Sequence, residues 1–422
     1  MQSFLLQSTI KKQDKRVLVL VFCRGITALG FSVVFPFLSL YLHNVRHVSM
    51  TAIGTVFLAA SLAGALSALV GGELSDKLGR KRVMVLALVF RAITFFVISV
   101  AILKGAGFLV IAALVVASSF AGRLFEPAAS AMISDVTTPA NRQEAYALLR
   151  IGINLGWAIG PAMGGFLAAF SYAFLFFVSG IVITVGLVIL LSQLRGYKAA
   201  GHGERINFRD LASVGRDKLF ISYNLVSLLL FLVTAQMMMT LSVYAVDWVG
   251  ISEIKLGYLY TLNGLMVVLL QFPCVRLVHK MRMTRVMALG SFLYAVGYFS
   301  ASLAHGFLIL FLGMIVVTFG EMFTSPSSLA LVANMAPRNR YGRYMGVFEL
   351  FSSVGHSLGP FVGGIIMDAS AGNRFIVWGF VGIIGLIAMQ GFLLIGNKLA
   401  AGVDKPGLEA PPSAVTAIPI DS

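Results

Sequence analysis

The chain has 422 residues, 58% of them hydrophobic and 12% charged, with a formal net charge of +15 and a mean hydropathy of +0.91. So apolar a composition exceeds what a soluble core of this length needs, and it fits a chain that crosses a bilayer many times. The positive balance does not mark a nucleic-acid surface, because the basic residues sit in the breaks between apolar runs and not on one face.

A helix needs about twenty apolar residues to cross the hydrocarbon. On that measure the sequence predicts twelve spans, at 17–42, 50–73, 83–103, 107–135, 144–169, 173–194, 219–246, 255–279, 284–303, 306–335, 344–368 and 374–396. Lys11, Lys12, Lys15 and Arg16 precede the first, which is too long for a signal-peptide core and reads as a retained helix with a basic flank. Cys23 and Cys274 both fall inside apolar runs, which implies neither a disulfide framework nor a metal site. An even number of spans puts both termini on one side. Of the 32 Lys and Arg, 24 fall on that side, 4 within helices and 4 (Arg46, Lys104, Lys255, Arg374) opposite, so the termini are expected to be cytoplasmic. Residues 1–194 and 219–396 form two sets of six helices joined by a basic cytoplasmic linker, 195–218. The Pro- and Ala-rich tail, 397–422, is expected to be disordered.

The halves repeat. Gly156, Gly160-Pro161 and Gly164-Gly165 in helix 5 return 199 positions later in helix 11 as Gly355, Gly359-Pro360 and Gly363-Gly364, and Pro127 and Pro326 keep the same offset. Two related halves with a site between them at mid-membrane are the plan of many secondary transporters.

Between helices 2 and 3 stands the polar break Gly72-Glu73-Leu74-Ser75-Asp76-Lys77-Leu78-Gly79-Arg80-Lys81-Arg82, too charged to lie in lipid. Gly72 allows close helix approach, Asp76 puts a carboxylate at a helix end, and Gly79 permits a tight turn. Arg80, Lys81 and Arg82 hold the loop to one side of the bilayer. A worn copy follows in the second half, where Arg285-Val286-Met287 answers Arg82-Val83-Met84 and His279 and Arg282 replace the acid and second glycine. The spacing resembles the signature loop of the major facilitator superfamily. That resemblance implies an all-α integral membrane fold of twelve transmembrane helices in two pseudo-symmetric six-helix bundles.

The glycine-proline pattern, complete in helix 11 from Gly346 and lacking only its first glycine in helix 5 (Ala147), is similar to that of drug:proton antiporters. Small residues at this spacing let helices meet backbone to backbone, and the proline bends the helix. Arg24, Gly30, Pro36 and Tyr41 of helix 1 add similarity to bacterial multidrug exporters. Arg123 matches the family's helix-4 arginine by position, but Leu124-Phe125-Glu126-Pro127 follows it in place of a Gln-Gly pair. The resemblance further implies a latch in which Asp76 meets the start of helix 11 when the cell-interior side is closed, with Arg80 reaching Asp135.

Charges inside the membrane are costly and therefore candidates for function. Arg24, about eight residues from the cytoplasmic end, could snorkel or serve the site, and Arg91 could snorkel in a structural role. Arg150 and Glu349 hold equivalent places in the two halves and suit structural or gating roles. Arg123 and Glu126, three apart, either neutralise each other or exchange partners when a proton arrives. Glu321 lies near the middle of helix 10 with no basic residue within a turn, so it is an isolated carboxyl able to bind and release a proton. Glu321, Glu126, Arg123, Arg24 and Glu349 are the proton and substrate candidates. His279 is expected to be solvated and His356 to serve packing. Met237-Met238-Met239 could line an adaptable pocket; Asn154, Gln236, Asn263, Gln271 and Gln390 are polar enough to face one.

No nucleotide-binding P-loop occurs. The expectation is a non-enzymatic, proton-coupled exporter of amphipathic, cationic drugs in a bacterial inner membrane. It would use no cofactor beyond the proton and act as a monomer whose partners are the bilayer and its substrates, without nucleic acid. Four membrane arginines against three glutamates leave open an exporter or flippase of anionic metabolites or lysophospholipids. A non-transporting sensor or membrane enzyme is the third reading.

Overall fold

A computed structural model describes residues 14–194, 214–337, 340–400 and 402–405. Its helices, in chain order, are α1 (Lys15–Val45), α2 (Met50–Leu78), α3 (Arg80–Leu103), α4 (Phe108–Val136), α5 (Pro139–Phe170) and α6 (Tyr172–Gln193). The second half holds α7 (Lys218–Trp248), α8 (Glu253–Val278), α9 (Met283–Ala301), α10 (Phe307–Met335), α11 (Tyr341–Ala369) and α12 (Arg374–Lys398). No strand occurs among the described residues. Side chains at the breaks start the helices: Ser49, Ser171, Ser252, Asp217 and Asn373 each accept a backbone N–H from the first turn that follows. Gly79, at φ +91°, makes the turn between α2 and α3 as its position in the loop predicts.

Among the described residues eleven helices are long and apolar enough to cross a membrane. The twelfth expected span, α9, is a 19-residue helix with Arg285 in its first turn and is packed against α10 and α12. Large apolar side chains face outward throughout; Leu109 and Leu277 each keep 78% of their surface exposed, which only a lipid environment makes favourable. The protein is a multi-pass membrane protein.

The repeated glycines make repeated contacts. In α5, Gly156 lies on Gly25 and Leu29 of α1, Gly160 on Ser32 and Val33, and Gly164 on Val33 and Phe37. In α11, Gly355 lies on Leu228 and Phe231 of α7, Gly359 on Leu232 and Ala235, and Gly363 on Gln236 and Thr240. The next glycine in each helix turns to the other half: Gly165 meets Glu253 and Gly257 of α8, and Gly364 meets Met50 and Thr51 of α2. Pro161 and Pro360 stand at the same seam, their carbonyls against Gly257 and Gly54. Each helix runs unbroken through its proline, so the motif here serves contact between helices.

These cross-half contacts gather at the face away from the described chain ends, the far face. The polar ties join them there: Asp368 accepts from the N–H groups of Met50 (3.0 Å) and Thr51 (2.7 Å), Tyr172 donates to Glu253 (3.2 Å), and His43 lies 3.4 Å from Asp247. Toward the opposite, terminal face Arg150 and Asn154 of α5 and Glu349 of α11 are exposed.

Two expectations, for Gly72 and for the tail, are corrected by this arrangement, and the latch, expected only with the terminal face closed, is not engaged in it. Asp76 is exposed and makes no hydrogen bond or ion pair to any described residue, so the latch to the start of α11 is not made in this state. Gly72 has open space around it, and the close approach to α4 is made by Gly71, against Leu124 and Pro127. The tail is held at its beginning: Asp404, fully buried, accepts from the Thr284 N–H (2.8 Å), the Thr284 hydroxyl (2.6 Å) and Arg282 Nε (2.7 Å). Asn334 donates to the carbonyl of Val403 at 3.0 Å. The remainder of the tail, and linker residues 195–213, lie outside the described residues.

Removing one partner of a buried charged pair costs about 3–5 kcal/mol. Asp404→Ala is therefore expected to lower the thermal unfolding temperature in detergent by several degrees, and a midpoint unchanged from wild type would show the clasp to be passive.

Candidate functional site

Between the halves lies a cavity of about 510 Å³, and the exposed Asn154 and Glu349 of its lining lie on the terminal side of Trp157 and His356. Its wall comes from α5 (Asn154, Trp157), α7 (Phe231, Thr234, Met237, Met238), α8 (Tyr260, Asn263), α9 (Tyr294, Tyr298), α10 (Glu321, Thr324) and α11 (Glu349, Ser352, His356). The aromatic side is fixed in place. Tyr298 stacks on Trp378 with centroids 5.7 Å apart and planes at 7°, and the Tyr260 hydroxyl donates to the Met237 carbonyl at 2.6 Å.

Glu321 is set into this wall. Asn263 Nδ2 donates to Glu321 Oε2 at 2.8 Å and also to the Thr318 hydroxyl at 3.1 Å, which fixes the amide that holds the carboxyl. No Lys, Arg or His among the described residues lies within ion-pair distance of it. An acid held by one amide beside an open cavity can exchange a proton with water there without first breaking a salt bridge.

A smaller cavity of about 220 Å³ lies in the first half, lined by Arg24, Arg91, Arg123, Glu126, Phe31 and Trp157 among others. Trp157 borders both cavities and separates them. Arg24 does not snorkel: its Nη1 reaches Glu126 Oε1 at 3.2 Å, while Arg123 Nη1 reaches Glu126 Oε2 at 3.2 Å. The three-apart pair expected of Arg123 and Glu126 is thus present, shared with a third residue from α1. Arg91 does not snorkel either; it is buried between the rings of Phe31 (5.1 Å) and Phe95 (5.5 Å). Glu349 lies across the opening within electrostatic reach of Arg123 and Arg150. At the terminal face the buried Arg80 pairs with Asp135, as the resemblance to the superfamily's loop implies, and also donates to the Ala131 carbonyl, while Lys81 is only partly covered.

Of the polar residues whose direction the sequence left open, Asn154 and Asn263 face the cavity. Gln236 instead bonds the Gly359 carbonyl (2.8 Å) and Gln271 the Met322 carbonyl (2.9 Å), both as helix ties. Gln390 lines an outer groove. His356 faces the cavity beside Phe231 and Thr234 and is not sealed into packing. Trp157 and the three tyrosines were not singled out from sequence. The available signal was the four-residue spacing of Tyr294 and Tyr298 on one helix face.

The model of the Major Facilitator Superfamily matches residues 20–252 and 225–418. The chain belongs to that superfamily. It is 27% identical over 392 residues to the uncharacterized MFS-type transporter YttB of Bacillus subtilis (strain 168), covering 90% of this chain and 95% of that protein. To multidrug resistance protein 2 of the same organism it is 23% identical over 390 residues, 90% of this chain and 96% of the relative. A POT family transporter solved in complex with a thioalcohol-conjugated peptide shares the fold, with a TM-score of 0.75 at 14% identity, over 90% of this chain and 96% of that one.

The geometry makes a labelling prediction. In a background lacking Cys23 and Cys274, Ser352→Cys in the cavity is expected to react with a membrane-impermeant maleimide about tenfold or more faster than Ser39→Cys, which is buried on the far side. Equal rates would mean that the cavity is not water-filled.

Proposed function

We propose that this member of the superfamily is a proton-coupled exporter of amphipathic compounds, cationic ones among them. It would act as a monomer in a bacterial inner membrane with both termini in the cytoplasm. On that orientation the terminal face is cytoplasmic and the conformation is open to the cell interior. The observation that carries the reading is Glu321, a carboxyl with no cationic partner among the described residues, set among tyrosines in the wall of the cavity. The names of relatives such as multidrug resistance protein 2 agree with it.

A lipophilic cation entering from the cytoplasm would lie on Tyr260, Tyr294 and Tyr298 and neutralise Glu321, combining cation–π and ionic contact. After the halves rock, a proton from the outside would take the same carboxyl and release the cation. One acid that holds either ligand but not both is sufficient for exchange. Asp76 would act in the other half of the cycle: when the terminal face closes, its carboxylate could meet the N–H groups at the start of α11, an anion-favouring helix end.

Glu321→Gln keeps the shape of the side chain and cannot carry the proton. It is expected to abolish gradient-driven uptake of a lipophilic cationic dye by inverted vesicles while leaving the protein folded; uptake at the wild-type rate would refute the assignment. Asp76→Asn is expected to favour the state open at the terminal face. Spin labels at the exposed positions Lys77 and Tyr341 should then report longer distances than in wild type under conditions that close the terminal face of the wild-type protein. A distance distribution unmoved by the substitution would reduce Asp76 to a topology residue.

A further inference from the structure

The small cavity of the first half has a charge that its own residues do not balance. Glu126 gives one oxygen to Arg24 and the other to Arg123, so both of its oxygens are engaged. Arg91 is left over. Its residue is 8% exposed, its Nε is buried without a partner, and its guanidinium donates no hydrogen bond to any described residue. The rings of Phe31 and Phe95 offer π-faces that favour a cation but leave its N–H groups unmatched. Space for the group is provided by Gly122, where any Cβ would collide with the guanidinium. Even with Glu349 from across the opening included, Arg24, Arg91, Arg123 and Arg150 outnumber Glu126 and Glu349 by two.

A buried guanidinium without acceptors is costly, and its planar fork takes a carboxylate through two parallel hydrogen bonds. We propose that this cavity is an anion subsite in which Arg91 binds the carboxylate of an amphipathic substrate. The body of that substrate lies across Trp157 in the larger cavity, facing Glu321. The proposal rests on the exporter reading and narrows its substrate class to zwitterionic amphipaths, with a positive or aromatic end toward the second half and a negative end toward the first. The two halves then recognise opposite charges of one molecule, and Trp157 packs on the apolar part between them.

The test uses a rhodamine with a free carboxyl and the same dye as its methyl ester, which differ only in the group the subsite would take. Binding to the full-length protein in nanodiscs is read by fluorescence anisotropy. The free acid is expected to bind about tenfold tighter than the ester, as one charge-assisted bidentate contact allows. Inorganic sulfate should compete with the acid and not with the ester. Arg91→Gln is expected to bring the two affinities together through weaker binding of the acid, and Arg91→Lys to retain part of the difference. Equal affinities in wild type, or an Arg91→Gln variant that weakens both dyes by the same factor, would overturn the subsite. If Arg91→Gln does not fold, the sulfate competition in wild-type protein decides alone.

Gradient-driven uptake of the ester that depends on Glu321, with no preference for the acid, would remove the anion subsite and leave the exporter standing. Absence of gradient-driven uptake of either dye would remove the exporter reading, whereas the acid-over-ester preference in binding would still be present or absent on its own.

Discussion

Close backbone contact between helices is the constraint on which this structure depends. In lipid there is no hydrophobic gain from pressing two apolar helices together, so packing and hydrogen bonding have to hold them. Gly156, Gly160 and Gly164 supply that contact between α5 and α1, and Gly355, Gly359 and Gly363 supply it between α11 and α7. Hydrogen bonds cross the same seams, from the Ser32 hydroxyl to the Gly156 carbonyl (3.0 Å) and from Gln236 to the Gly359 carbonyl (2.8 Å). The adjacent faces of α5 and α11, at Gly165 and Gly364, make the contact between halves. A fixed boundary and a separable one thus run side by side on each of two helices. Rocking of the halves would have to break the second while keeping the first.

The backbone symmetry is not matched by symmetry of chemistry. The inner wall of the first half is cationic, with three arginines around Glu126, whereas the second half presents Glu321, Asn263 and a tyrosine face. Trp157, on the half-to-half helix α5, stands where the two environments meet. Such a division lets one ligand be read at both ends. It also keeps the arginines away from Glu321, which would otherwise be held in an ion pair and lost to proton exchange.

A second asymmetry lies at the terminal face. In the first half the loop between α2 and α3 is tied to α4 by the pair Arg80–Asp135. The residue 199 positions after Asp135 is Asn334, and the corresponding turn carries Arg282 where Gly79 stood. There the tie is made by the chain end instead: Asp404 takes Arg282 and Thr284, and Val403 takes Asn334. The counterpart of Asp135 is an uncharged amide, and a carboxylate more than a hundred residues from Arg282 makes the tie in its place. The acid retained in the first loop, Asp76, is exposed and makes no hydrogen bond or ion pair to any described residue.

Hydropathy and repeated spacing determined much of this protein on their own. Span length follows from bilayer thickness, the glycine offset of 199 fixes a two-fold plan, and the Gly79 turn follows from local backbone geometry. The Arg80–Asp135 and Arg123–Glu126 pairs were also legible, the first from its resemblance to the superfamily's loop and the second because three-residue spacing on a helix places side chains together. What tertiary structure decided are the contacts whose partners lie far apart in sequence. Arg24 finds Glu126 102 positions away, and Asn263 finds Glu321 58 positions away, distances over which no periodicity carries information. The direction in which a polar residue points within an apolar helix depends on which neighbour packs against it, so Gln236 became a helix tie and Asn263 a cavity residue. The cavity between the halves likewise belongs to the packing alone, because its walls come from helices far apart in sequence.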